Sequence, residues 1–213
     1  DVGSTTAGSS LMTTRMFSND PQQVATYAGA FLHGLQKNGI IGTLKHFPGL
    51  GTVSSGFDPH DTLPQVTSSL QDLNNNDFVP YKKIIQQDQP AMIMTTDVVT
   101  QALDPNTAAE LSPKVLSYLR NTLGFKGVVI TDGLYMGGLY NGATPTTDQL
   151  AQTYVQAIIA GNDIMEGAST VDQVTAIQQA IHQAIQKGQL TEQHIDQSVQ
   201  RILLMKMKYG IIK

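Results

Sequence analysis

Residues 45–60 gather a cation, two imidazoles and a carboxylate into a loop kinked by glycine and proline. The run is Lys45-His46-Phe47-Pro48-Gly49-Leu50-Gly51, followed by Asp58-Pro59-His60. Loops this dense in titratable groups usually do chemistry. Imidazole gains and loses a proton near neutrality, and a carboxylate two residues ahead of it can orient the ring and stabilise its cation. A second cluster closes the run Gly127-Val128-Val129-Ile130-Thr131-Asp132-Gly133, where a β-branched strand ends on an acid and a glycine. Retaining cleavage of a glycosidic bond uses such parts: a carboxylate that attacks the anomeric carbon, a group that donates and then withdraws a proton, and donors that orient the sugar hydroxyls.

Taken singly, each residue has a plainer reading. A strand-terminal Asp-Gly is most often a turn former or a helix N-cap, so Asp132 alone carries little, and His60 alone carries no more. His46 and Lys45 read equally as a packed imidazole and a salt-bridge partner, and Arg15 as a loop anchor. His33, His182 and His194 sit in helical patterns and read as surface residues. His46, Asp58, His60 and Asp61 are close in sequence, but no HExxH pair or cysteine set accompanies them, so neither a metal nor another cofactor is expected. Gly49-Leu50-Gly51 lacks the Lys-Ser/Thr of a phosphate loop. The argument rests on the combination.

The elements around these residues alternate. Asp20-Pro21 pairs an N-cap with proline at the first helical position, and Val24, Tyr27, Ala28, Phe31, Leu32 and Leu35 follow at helical steps, predicting a helix that ends near Asn38-Gly39. A buried strand over 40–46 comes next, then a loop through Pro64 and a helix over 76–88. A strand over 91–97 and a helix from Pro113 to Gly124 precede the strand that ends in Asp132. Beyond it the pattern predicts a helix over 150–160, a brief strand over 161–165, a long helix ending at Gly188, and a last helix capped by Thr191. Strands separated by helix-length returns imply a parallel sheet, and in such sheets ligands collect at the strands' carboxyl ends. Both clusters are therefore expected to face one cavity. Asp1-Val2-Gly3 reads as the tail of a further strand.

With 213 residues, 40% of them hydrophobic, the chain can bury a core, and one domain over 1–213 is expected. Charged residues make up 14% and the net charge is -4, which leaves no electrostatic footprint for nucleic acid or an anionic membrane. The apolar stretches fall short of a bilayer span. Cysteine is absent, which removes disulfides, thiolate catalysis and thiolate zinc sites. The surplus of Gln, Thr, Asn and Ser leans toward a secreted or cell-surface protein.

Further landmarks give the chain a resemblance. Arg15-Met16-Phe17-Ser18-Asn19-Asp20-Pro21, Lys45 to Gly49, Asp58-Pro59-His60, Leu111-Ser112-Pro113, Leu123 to Asp132 and Ser198 to Leu203 together resemble the N-terminal catalytic domain of family 3 glycoside hydrolases, in its NagZ-like β-N-acetylglucosaminidase branch. The resemblance implies an α/β fold of the TIM (β/α)8 type. It implies that Asp132 is the nucleophile, that His60 is the general acid/base held by Asp58, and that Arg15, Lys45 and His46 grip the sugar. The implied activity is a retaining exo-glycosidase that removes terminal β-linked N-acetylglucosamine from peptidoglycan- or chitin-type oligosaccharides. A β-glucosidase or β-xylosidase of the same family and a catalytically impaired sugar-binding fragment are the alternatives.

Several positions depart from the family pattern. Leu50 stands where the family usually has His, Gly133 where it has Asp and Pro59 where it has Ser, and the loop between Gly51 and Asp58 is longer by two residues. The first two changes are expected to remove polar groups near the site, and Pro59 to stiffen the hinge beside His60. Family barrels also carry further residues ahead of this region, including their first two strands, and a closed barrel takes about 250 residues. The expectation is an open barrel, completed by a missing N-terminal segment or by a second chain.

Overall fold

The computed structural model describes residues 1–3, 11–53 and 56–213. A four-stranded, all-parallel sheet organises them, with β1 (Thr43–Phe47), β3 (Met92–Thr95), β5 (Val128–Gly133) and β6 (Ile164–Glu166) side by side in that order. Helices return the chain between strands, and the fold is α/β, an open part of a (β/α)8-type barrel. Leu44 lies opposite Ile93 and Ile93 opposite Val129, so the apolar runs that identify strands in the sequence stack across the sheet. Strands buried on both faces can be apolar throughout, which is why these runs do not alternate.

Helix α1 (Pro21–Lys37) begins where expected, with the Asp20 carboxylate accepting from the Gln22 N–H at 2.7 Å. It packs with α3 (Phe78–Gln87) beside β1. Phe47 at the end of β1 lies against Phe78 and Tyr81 of α3, with ring centroids 5.8 and 5.2 Å apart. Further on, α5 (Thr147–Ala160) and α6 (Val171–Gln186) pack on each other, and α7 (Glu192–Lys208) lies under β5.

The structure differs from the sequence reading in several places. Pairing of β1 starts at Thr43 rather than 40, because Gly39 takes a left-handed turn (φ 78°) out of the helix before the chain enters the sheet. A second, two-stranded parallel sheet joins β2 (Gln65–Val66) to β4 (Val99–Thr100), each too short to show a period. Helix α2 (Leu70–Asn75) was not anticipated, although Ser69 and Asp72 form a reciprocal cap at its start. The helix expected over 113–124 is α4 (Pro113–Ser117) followed by a π-helical turn over Tyr118–Thr122. His33 and His182 are exposed as expected. His194 corrects the reading, since its Nε2 is shielded from solvent and has no partner among the described residues. Residues 54 and 55, part of the longer loop expected before Asp58, lie outside the described residues.

Candidate active site

The chemistry-bearing residues stand at the carboxyl ends of the strands. Asp132 is the fifth residue of β5 and is half-buried. Its Oδ2 accepts from the Thr96 hydroxyl at 2.9 Å and its Oδ1 from the Gly133 N–H at 3.0 Å, while its own N–H donates to Glu110 Oε2 at 3.2 Å. Thr96 follows directly on β3, and Glu110 lies on the short 3-10 turn Ala109–Leu111. The acid is thus held through both carboxylate oxygens and its backbone, which fixes the direction in which its carboxylate faces.

His46, on β1, is buried. Its Nδ1 lies 2.8 Å from Asp1 Oδ2, and Asp1 Oδ1 accepts from the Leu50 N–H at 2.8 Å and the His46 N–H at 3.3 Å. Burial, above all, holds the His46 imidazole below its usual range; the negative charge of Asp132 pulls the other way, and Lys45 and Arg15 add to the lowering. A neutral ring donating Nδ1–H to Asp1 leaves Nε2 as an acceptor. Lys45 and Arg15 are exposed, and both line a cleft of about 220 Å³ between β1, α1 and α3 that Asp1, Phe31 and Tyr81 also border. Asp132 and His60 are outside that cleft, while the charges of Asp132, Lys45 and Arg15 all act on His46.

His60 and Asp58 form a dyad on the loop after β1. The ring Nδ1 is 2.7 Å from Asp58 Oδ1, which also accepts the His60 backbone N–H at 3.0 Å. That backbone bond, more than the ring bond and charge that act with it, holds the Asp58 carboxyl below the usual carboxylate range against the effect of burial. An ionised Asp58 fixes the proton on Nδ1 and leaves Nε2 free to give and take the other one. The dyad is anchored to the turn that follows Asp132: Gly137 donates to the His60 carbonyl at 2.9 Å and Gly138 to the Pro59 carbonyl at 3.0 Å. A Cβ at Gly137 would lie 2.5 Å from the His60 oxygen, and one at Gly138 2.6 Å from those of Pro59 and Thr62, so only glycine allows this approach. Among the described residues no hydrogen bond joins His60 to Asp132; the backbone brings them to the same strand end.

Asp1 was read from sequence only as a strand tail, and nothing in Asp1-Val2-Gly3 marks its carboxylate as the partner of His46 and Leu50. Glu110 and Asp97 were passed over; Asp97 ends its apolar run as Asp132 ends its own, and that was the available signal, whereas nothing in the local spacing marks Glu110. The departures from the family pattern also find their places. Leu50 is 2% exposed and belongs to the core, Pro59 is buried against Gly138, and the Tyr135 ring occupies the space above Gly133, 2.6 Å from where a Cβ would sit. Among the described residues no group of three or more His, Asp or Glu side chains is arranged to hold a metal ion, and no helix is long and apolar enough to cross a membrane.

Known proteins resemble this chain over most of its length. The family model described as the glycosyl hydrolase family 3 N terminal domain matches residues 1–205. The chain is 32% identical over 194 residues to the beta-hexosaminidase LpqI of Mycobacterium tuberculosis, covering 90% of this chain and 48% of that protein. It is 28% identical over 216 residues to beta-hexosaminidase A of Pseudoalteromonas piscicida, covering 93% of this chain and 35% of that protein. A solved family 3 beta-N-acetylglucosaminidase from Paenibacillus sp. str. FPU-7 superposes with a TM-score of 0.85 at 30% identity, over 95% of this chain and 38% of the other. The chain therefore spans less than half the length of these relatives.

Proposed function

The chain belongs to the glycosyl hydrolase family 3 N-terminal domain family, and from that premise we propose that residues 1–213 form a catalytic barrel unit that removes terminal β-linked N-acetylglucosamine with retention, through a covalent intermediate on Asp132. The relatives named beta-hexosaminidase and beta-N-acetylglucosaminidase support the sugar. Peptidoglycan fragments and chitooligosaccharides are the proposed natural glycans. The observation that carries the reading is the docking of the Asp58/His60 dyad, through Gly137 and Gly138, on the turn directly after the strand that presents Asp132.

In the proposed cycle His60, protonated on Nε2, gives that proton to the leaving oxygen while an Asp132 oxygen bonds to the anomeric carbon. The neutral ring then takes a proton from water as the water displaces Asp132 and restores the original configuration. Arg15, Lys45 and the acceptor nitrogen of His46 orient the sugar hydroxyls from the β1 side. The outer place of β1 in the sheet, where Asp1 meets the Lys45 carbonyl and the His46 N–H, and the apolar cleft beside it support a further proposal, that additional polypeptide, in the same or a second chain, closes the barrel there.

Turnover of aryl N-acetylglucosaminides tests the reading. Asp132→Ala is expected to abolish it. His60→Ala is expected to lower kcat/KM by about 10²–10⁴-fold, and least for the best leaving groups, which need no proton. Unchanged rates in either variant contradict the assignment, and faster turnover of aryl glucosides or xylosides than of the N-acetyl sugar moves the specificity to the family's other branch.

A further inference from the structure

Behind Asp132 lie two acids that the proposed cycle does not use. Asp97 and Glu110 are both 0% exposed, on separate segments that the Ala109 N–H joins by donating to the Val98 carbonyl at 2.8 Å, and each carboxyl lies within the other's electrostatic influence. Both oxygens of Asp97 and Oε1 of Glu110 are shielded from solvent and accept from no donor among the described residues. The remaining oxygen, Glu110 Oε2, accepts the Asp132 N–H. Among the described residues no cation offsets the pair. The titratable groups whose charges reach it are Asp132 on β5 and Tyr140 on the 3-10 turn after β5. The Tyr140 hydroxyl is itself engaged, donating to the Leu134 carbonyl at 2.7 Å. Two ionised carboxylates packed together without donors are strongly disfavoured. One proton between them turns two facing acceptors into a donor and an acceptor.

We propose that Asp97 and Glu110 share one proton as a buried acid pair, and that the pair positions Asp132 through its backbone N–H. Both are positioning residues; the link to turnover rests on Asp132 being the attacking group, as proposed above. With the proton in place a single negative charge lies behind Asp132. Without it there are two, and their mutual repulsion loosens the segment whose Glu110 accepts the Asp132 N–H. Burial, first of all, raises Glu110 to about 7 with Asp132 pushing the same way, and burial and the charge of Glu110 raise Asp97. The folded chain therefore keeps a proton that an unfolded glutamate releases from about 4.5 upward, so this pair's contribution to stability falls as pH rises from there through about 7.

Infrared spectroscopy of the full chain at mildly acidic pH tests the pair directly. The carbonyl stretch of a protonated carboxylic acid is expected in the wild type, and expected to lose intensity in both Asp97→Asn and Glu110→Gln. Asp77, which burial also raises, is removed as a source by repeating the measurement in Asp77→Asn. Loss in neither variant, or in only one, overturns the shared proton. If either variant fails to fold, titration of the band in Asp77→Asn decides: a stepwise loss of part of its intensity near neutrality supports the pair, and an intensity unchanged across that range, or no band, overturns it. For the link to Asp132, kcat is expected to fall at least about tenfold in Asp97→Asn, with KM little changed; an unchanged kcat overturns that link. A wild type without turnover rejects the sugar-cleaving reading, while the infrared result still decides the pair.

Discussion

Asp58 meets His60 through Nδ1, Asp1 meets His46 through Nδ1, and Asp132 faces the strand-end mouth held by Thr96, Gly133 and Glu110. The same residue type thus serves different ends according to its neighbours. The exposed dyad at residues 58 and 60 keeps a ring nitrogen in solvent for proton transfer, whereas the buried pair at residues 1 and 46 fixes a neutral ring. Asp1 gathers the His46 ring, the His46 N–H and the Leu50 N–H on one carboxylate, so its removal strands buried donors. Asp1→Ala is expected to destabilise the chain by about 1–3 kcal/mol and to raise KM for aryl N-acetylglucosaminides through misplacement of Lys45 and His46. Urea titration and steady-state kinetics check the two effects, and a variant of wild-type stability contradicts the clamp.

At the scale of elements, the turn after β5 is what brings a loop from β1 to the proposed nucleophile. Gly137 and Gly138 admit the carbonyls of the His60 loop because neither has a side chain. In Gly138→Ala the new methyl meets backbone oxygens of Pro59 and Thr62, which a side-chain rotation cannot relieve. The variant is expected to keep its secondary structure by circular dichroism while kcat/KM falls at least about tenfold, the size of effect that a small misplacement of a proton donor produces. Wild-type kinetics in this variant contradict the docked loop as the working position of the dyad. The strands that carry the site were legible in the sequence, because burial on both faces gives uninterrupted runs such as Val128 to Ile130, and so was α1, whose Asp20-Pro21 start has a local cause. β2 and β4 were not, because two residues cannot display a period. The roles of Asp1 and Glu110 were not legible either. Their partners lie 45 and 22 residues away, and only the closed fold brings them together.

Across the whole molecule, Asp163 ties the end opposite the site. Buried among Arg120, Arg201, Ser198 and the Val129 N–H, with the two arginines at 2.7 Å, it joins β5 to the turn after α4 and to α7. Asp163→Ala leaves two partly buried guanidinium groups without their counter-charge, and is expected to cost about 3–5 kcal/mol by chemical denaturation; a loss within about 0.5 kcal/mol, the size of an ordinary surface substitution, contradicts this role. The core and this clamp hold the sheet together at one end, and in the proposed function its other end presents Asp132, His46 and the docked dyad to one substrate. The most direct test of that arrangement is to trap the intermediate. The chain is incubated with a slow fluorinated aryl glycoside of N-acetylglucosamine, and the labelled peptide is identified by mass spectrometry. A single glycosyl adduct on Asp132, absent in Asp132→Ala, is the predicted result, and product release with no adduct, or an adduct on another residue, contradicts the account.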